Sequence, residues 1–296
     1  MAGKHRPVLR VVGRSEILPQ PIRERAQQDL DFEIDFELID GVEGLQRAVT
    51  RPDTIDVYHQ WHTVDLIWTA RAIQAIDLGR IKHGEEIKRK ALGGRGEGHL
   101  IGTVFGKLFI RPDGSLGRAP TDHISMLPSL HGVDAFGYLE GLREELGEQA
   151  HTPESWAWLL DPKLHGRVGI MSDPVLGMIE AALATEAAEG LAFQDISNLT
   201  VEEIDFIVDL LLRKKKLGHF KGVWRNYEDA ARLMQRGGVA LQSMFSPALA
   251  RLRRMGVPVL LAVPAEGCRG WHADLCISAN ASGEVLDAAY EYLNCG

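Results

Sequence analysis

The chain has 296 residues, 45% of them hydrophobic and 25% charged, with Gly and Pro not inflated, which fits a folded protein with two cores of ordinary size. A net charge of −8 argues against general affinity for nucleic acid, and the short basic run Arg213–Lys216 reads as the solvated end of a helix. No segment approaches the roughly 20 consecutive apolar residues that a membrane helix needs.

The first residues run straight into a candidate strand, Val8–Val12, with no signal-peptide apolar core before it. A helix over Pro21–Asp29, with Pro21 at its first position, leads to a strand at Phe36–Ile39. Helix Val42–Val49, strand Ile55–Tyr58 and helix Leu66–Ala75 follow. Strands alternating with helices of this length predict βαβ units, right-handed crossovers and a sheet covered on both faces.

Ala91–Thr121 differs: its glycines and alternating apolar residues predict a loop and a hairpin turning at Pro112-Asp113-Gly114. Gly93–Gly98 lacks the preceding strand and following helix of a phosphate-binding loop and is read instead as a lid over a cleft. Ile124–Tyr138 reads as one long strand bent at Pro128, followed by a helix over Leu139–Leu146. Thr152-Pro153 fits an N-cap and first helical position. The second βαβ series comprises strand Val168–Met171, helix Leu176–Ala188, helix Val201–Lys214 opened by a Thr200/Glu203 capping box, and helix Asn226–Arg236. The last quarter reads strand Val239–Met244, helix Ser246–Met255, strand Val257–Val263 and a Pro-Ala-Glu-Gly turn. Trp271 at a turn, strand Leu275–Ile277, a polar turn and a helix from Glu284 complete it.

That order of elements resembles the crossover of bacterial extracellular solute-binding proteins, specifically the spermidine/putrescine-binding group. Ser155, Trp156, Leu159, Asp161, Pro162, Gly166 and Val168 match the run that leads into the second lobe's first strand in that group. The resemblance spans roughly residues 8 to 293. It implies an α/β, type II periplasmic-binding-protein fold of two lobes with a central cleft and two crossover segments. Lobe one is expected over 8–125 and 265–296, lobe two over 126–264. It further implies capture of a small polar solute in the interlobe cleft, delivery to the membrane permease subunits of an ABC importer, no cofactor, no nucleic acid and a monomer. The implied location is periplasmic or extracellular, with the leader removed and replaced. Members of the group commonly continue for several tens of residues further, so a truncated chain is one expectation.

A binding protein of this kind works through polar and aromatic residues just after strands. After the first strand stand Arg14, Ser15 and Glu16, where the group has an aromatic, a hydroxyl and an acid; Arg14 replaces the aromatic. After the third stand Gln60, Trp61 and His62, with His59 beside them; a metal at His59 and His62 lacks a third ligand. His131 and Asp134 fall where the chain crosses between lobes. Asp173 matches a cleft carboxylate or caps the next helix. Met244 and Phe245 end the strand that presents an aromatic in the group, and Trp271 matches its ligand-stacking aromatic.

The departure lies beside Trp271. The group's Trp-x-Asp places a carboxylate against an ammonium, whereas the run here is Trp271-His272-Ala273-Asp274. A one-residue shift along a strand turns the side chain to the opposite face. Loss of that buried partner costs roughly 2–5 kcal/mol, so a polyamine is not the expected solute. No Gly-x-Ser-x-Gly, HExxH or Walker motif occurs. Cys268, Cys276 and Cys295 imply no disulfide framework, and Cys268 with Cys276 either pair or stay free. An enzyme of the thiamine-pyrimidine type on the same bilobal fold is the alternative, and a reactive cleft thiolate would favour it.

Overall fold

In the computed structural model, which describes residues 7–61, 63–93, 105–149 and 151–295, the chain divides into two compact units. Unit 1 is Met1–Gly132 with Gly270–Gly296, and unit 2 is Val133–Arg269.

Unit 1 begins β1 (Leu9–Gly13), α1 (Gln20–Asp29), β2 (Ile34–Leu38), α2 (Gly41–Thr50), β3 (Val57–Trp61) and α3 (Val64–Thr69). β1 lies between β2 and β3, parallel to both, as two successive right-sized crossovers require. Asp40 caps α2 by accepting the Glu43 amide at 2.8 Å. β4 (Ile73–Gln74), β5 (Ile76–Asp77), α4 (Gly84–Gly93), β6 (Phe109–Ile110), β7 (Leu116–Gly117) and β8 (His123–Ile124) follow. β5, β8, β6 and β7 make a small antiparallel sheet in that order, and the β6–β7 hairpin turns where expected, with Gly114 at φ 81°. β9 (Leu127–Leu139) then carries the chain into unit 2.

Unit 2 contains α5 (Leu142–Leu146), β10 (Val168–Met171), α6 (Leu176–Glu189), α7 (Val201–Lys216) and β11 (Phe220–Trp224). It continues with α8 (Tyr227–Gln235), β12 (Leu241–Met244), α9 (Ser246–Arg254) and β13 (Val259–Leu261). β10 is parallel to β11 and β12, while β12 and β13 are antiparallel to β9. β14 (Arg269–Ser278) returns the chain to unit 1, antiparallel to β3, and α10 (Gly283–Leu293) packs beside β1. The Thr200/Glu203 capping box opens α7, and Arg213–Lys216 occupy its last turn, complementing its dipole.

Several expected boundaries differ for local reasons. α3 stops at Thr69 instead of Ala75, because Arg71 adopts a left-handed φ of 56° and Ile73 pairs with Ser278 of β14. The helix expected from Leu139 starts at Leu142, since β9 runs on to Leu139 and Gly141 turns the chain at φ 90°. Thr152-Pro153 begins no helix; Ser155 instead caps a 3-10 turn over Trp156–Leu160. Pro21 is the second residue of α1, and β8 is a separate short strand ahead of β9. Of the Gly-rich segment, 94–104 lies outside the described residues.

Each unit has its own core. Leu9, Val11, Val57, Ile67 and Ile277 belong to that of unit 1; Phe136, Trp156, Trp158, Val168 and Leu241 belong to that of unit 2. Trp156 packs edge-on to Phe136 at 5.4 Å and donates its indole N–H to the Gly267 carbonyl at 2.8 Å. Replacing it opens a cavity and strands that carbonyl. Trp156→Ala is expected to destabilise unit 2 by about 3–5 kcal/mol, read by urea unfolding. A change below 1 kcal/mol would contradict this packing account.

Candidate functional site

At the end of β1 the chain turns over Arg14, whose carbonyl accepts the amides of Ile17 and Leu18. The Arg14 side chain is buried, with its guanidinium Nε 3.5 Å from Glu16 Oε2, and Ser15 Oγ donates to that same oxygen at 3.2 Å. The turn therefore presents a guanidinium already engaged by a carboxylate. Gly13 makes the approach possible: a Cβ there would meet the His59 Cβ at 2.8 Å.

Along β3 the side chains alternate. Tyr58 is buried in the unit 1 core, and His59 Nε2 meets the Tyr292 hydroxyl of α10 at 3.0 Å. Burial pushes the His59 pKa down to about 3, so it is a neutral core histidine. Among the described residues no group of three or more His, Cys, Asp or Glu is placed to hold a metal. Gln60 sits fully buried and fixes a network. Its Nε2 donates to Asp274 Oδ2 at 2.6 Å, and its Oε1 accepts from the Thr63 amide at 2.7 Å and the Thr63 hydroxyl at 3.0 Å. Trp61 closes β3 in backbone register with Ala273; His62 lies outside the described residues.

β14 carries the other half. His272 Nδ1 lies 2.6 Å from the same Asp274 Oδ2 that Gln60 addresses. Asp274 is 0% exposed, and its Oδ1 has no hydrogen bond among the described residues. Burial raises the Asp274 pKa, with the contacts to His272 and Gln60 opposing it. The alternation expected of a strand places His272 and Asp274 together on one face. Trp271 is half-buried inside β14 and not at a turn. It lies against Gly132, where a Cβ would meet its ring at 2.9 Å. No carboxylate of β14 stands beside it two residues on, since Ala273 occupies that position.

The remaining expected residues are scattered. His131 is exposed on β9. Asp173 acts as a cap, its Oδ1 accepting the amides of Val175 and Leu176 at 2.9 Å each. Met244 and Phe245 are interior residues of unit 2: Met244 packs on Gly137, and Phe245 stands edge-on to Trp224 at 5.1 Å. Sequence reasoning missed a buried cluster in the same unit. Arg269 NH2 is 2.9 Å from Asp134 Oδ2, and its Nε is 3.2 Å from Glu180 Oε1. One signal pointed to it: Glu180 is the sole charge in the apolar run Leu176–Ala184.

Solved structures share this architecture. The spermidine/putrescine ABC transporter substrate-binding protein PotD from Streptococcus pneumoniae, solved with calcium and HEPES, aligns with TM-score 0.65 at 14% identity. That alignment covers 97% of this chain and 76% of that one. The PotD lipoprotein of Treponema pallidum aligns with TM-score 0.68 at 15% identity, covering 97% and 79%. The periplasmic binding protein AfuA from Actinobacillus pleuropneumoniae, with fructose-6-phosphate bound, gives 0.58 at 17% identity, covering 97% and 77%. The fold is that of the periplasmic binding proteins. No protein-family model matches the sequence, and no curated protein does. Among the described residues no helix is long and apolar enough to cross a membrane.

Gln60 holds a buried carboxylate. Because the folded pKa of Asp274 is raised, its contribution to stability is greatest below the ordinary carboxylate pKa of about 4 and is lost as pH rises through the folded value. Gln60→Ala removes a donor that opposes this rise. The variant is expected to lose about 1–3 kcal/mol, with a larger deficit at pH 7 than at pH 4, by urea unfolding at both pH values. A deficit equal at both would show that the carboxylate is not the group affected.

Proposed function

We propose that the chain captures a small polar solute and delivers it to the permease subunits of an ABC importer, outside the cytoplasm. The observation that carries this reading is architectural. Two α/β units, each with its own core, are joined by chain passages in β9 and β14, and the structural neighbours are ABC transporter substrate-binding proteins. Separate cores let each unit behave as a rigid body, which hinged capture requires. The ligand-contacting set would come from the ends of β1 and β3 and the start of β14: Arg14, Ser15, Glu16, Trp61, His62 and Trp271, with Gln60 buried behind them as a positioning residue.

Spermidine and putrescine are poor candidates. Ala273 stands where a carboxylate would meet an ammonium, and Asp274 belongs to the opposite face of β14, its Oδ2 engaged by Gln60 and His272. A buried ammonium with no counter-charge is costly. Glu16 at the end of β1 is already engaged by Arg14. A neutral or partly anionic solute, stacked on Trp271, satisfies these residues better. A thiol-dependent enzyme on the same fold finds no support from its thiols: burial pushes Cys276 well up and also raises Cys268.

A thermal-shift screen over polyamines, amino acids, opines, quaternary amines and small carboxylates tests the reading. A true ligand at about a hundred times its Kd stabilises by about 2.7 kcal/mol, a rise of roughly 5 °C for a chain of this size. Polyamines are expected to give no shift, and Trp271→Ala to abolish the shift of any hit. Tight spermidine binding sinks the exclusion; a flat response across the whole panel sinks the solute reading.

A further inference from the structure

Unit 2 holds a cavity that the solute-binding reading does not use. It measures about 220 Å³, and every residue lining it belongs to unit 2. β10 supplies Ile170 and Met171, α6 supplies Met178 and Ala181, and α7 and β11 contribute Leu211 and Phe220. The walls are therefore largely apolar.

The polar side chains that reach the cavity are tied into the fold. Glu180 Oε1 meets Arg269 Nε at 3.2 Å and has the Ser243 hydroxyl as a further hydrogen-bond partner. Asp173 Oδ1 accepts the amides of Val175 and Leu176 at 2.9 Å each, and the Ser172 hydroxyl donates to the Trp224 carbonyl at 3.1 Å. A charged guest would give up its hydration and meet acids that already have partners. A neutral guest gives up little, and each wall atom it touches adds dispersion attraction. The cavity thus selects for neutrality and for shape.

The wall chemistry narrows the class further. Methionine sulfur makes favourable contacts with aromatic rings and adapts to their outline, and Met171 and Met178 both line this cavity. Phe220 lies in the same wall, and an aromatic pair gains more than the area it buries. An apolar cavity of about 150 Å³ accommodates benzene, so this larger one has room for roughly seven to nine non-hydrogen atoms. We propose that the cavity binds a small neutral aromatic molecule, of a size between toluene and indole, with its ring against Met171, Met178 and Phe220. The inference goes beyond the proposed solute function and is independent of it, since no residue of unit 1 takes part.

Calorimetric titration of the full chain with indole tests it, with benzoate, benzylammonium and cyclohexanol as controls. Saturable one-site binding is expected, on the order of tenfold tighter than either charged ring and roughly threefold tighter than cyclohexanol. Ala181→Leu narrows the cavity and is expected to weaken indole binding by about tenfold or more. If that variant does not fold, the wild-type chain with labelled methionine methyls decides. Indole is then expected to give intermolecular NOEs to the methyls of Met171 and Met178. Trp271→Ala is expected to leave indole affinity unchanged, which separates this cavity from the solute site. Absence of saturable binding at millimolar indole overturns the proposal. So does affinity matched by any of the three controls, NOEs to other methionines alone, affinity that survives a folded Ala181→Leu, or affinity lost in Trp271→Ala. If indole binds in the cavity while the solute panel is flat, only the solute reading falls; the reverse outcome removes only this cavity's assignment.

Discussion

Taking a carboxylate out of water costs several kcal/mol unless donors or a cation match it. Among the described residues four acids are buried: Asp56, Asp134, Glu180 and Asp274. Asp56 is fully matched. Arg10 addresses it with its backbone amide at 2.8 Å, its Nε at 2.9 Å and its NH2 at 2.6 Å, and it stitches the start of β3 to β1. Asp274 is matched only in part. It receives two partners on one oxygen and, among the described residues, none on the other, while Arg269 bridges Asp134 and Glu180. Complete matching is what a structural ion pair needs. Partial matching is where a chain keeps electrostatic free energy available for something else to complete.

One strand organises most of this. β14 opens with Arg269, the last residue of unit 2, and within five residues reaches Asp274 in unit 1. The cation of one buried cluster and the carboxylate of another are therefore fixed by the same backbone register. The pairings Ala273 with Trp61 and Asp274 with Gln60 set that register. A slip of one residue would send Asp274 to the face of Trp271 and leave Gln60 without its acceptor. The same register that buries Asp274 is thus what denies the Trp271 face a carboxylate.

The βαβ order, the capping box of α7 and the hairpin at Gly114 were legible because each depends on local pattern: strand runs, Thr200 with Glu203, and a turn residue able to adopt positive φ. The side-chain face at Trp271-His272-Ala273-Asp274 was legible too, since strand periodicity alone decides it. What escaped was long-range. Gln60 and Asp274 are neighbours only through the β3–β14 pairing, and Arg269 meets Glu180 across 89 positions. Met244 and Phe245 were expected near a ligand because they end a strand, yet Gly137 and Trp224 enclose them. Asp173 shows the limit of motif reading, as an Asp-Pro after a strand serves equally to cap a helix, and here it does.

Fold similarity cannot settle what such a protein holds, because neighbours of this architecture include one named for spermidine and putrescine and one with fructose-6-phosphate bound. Those ligands carry opposite charge, so the scaffold is indifferent to sign. Among proteins of this fold the discrimination has to reside in individual side chains rather than in the scaffold. In unit 1 Glu16 is engaged by Arg14, and Asp274 Oδ2 by Gln60 and His272 on the face of β14 opposite Trp271, so the side chains that these contacts leave open decide the sign.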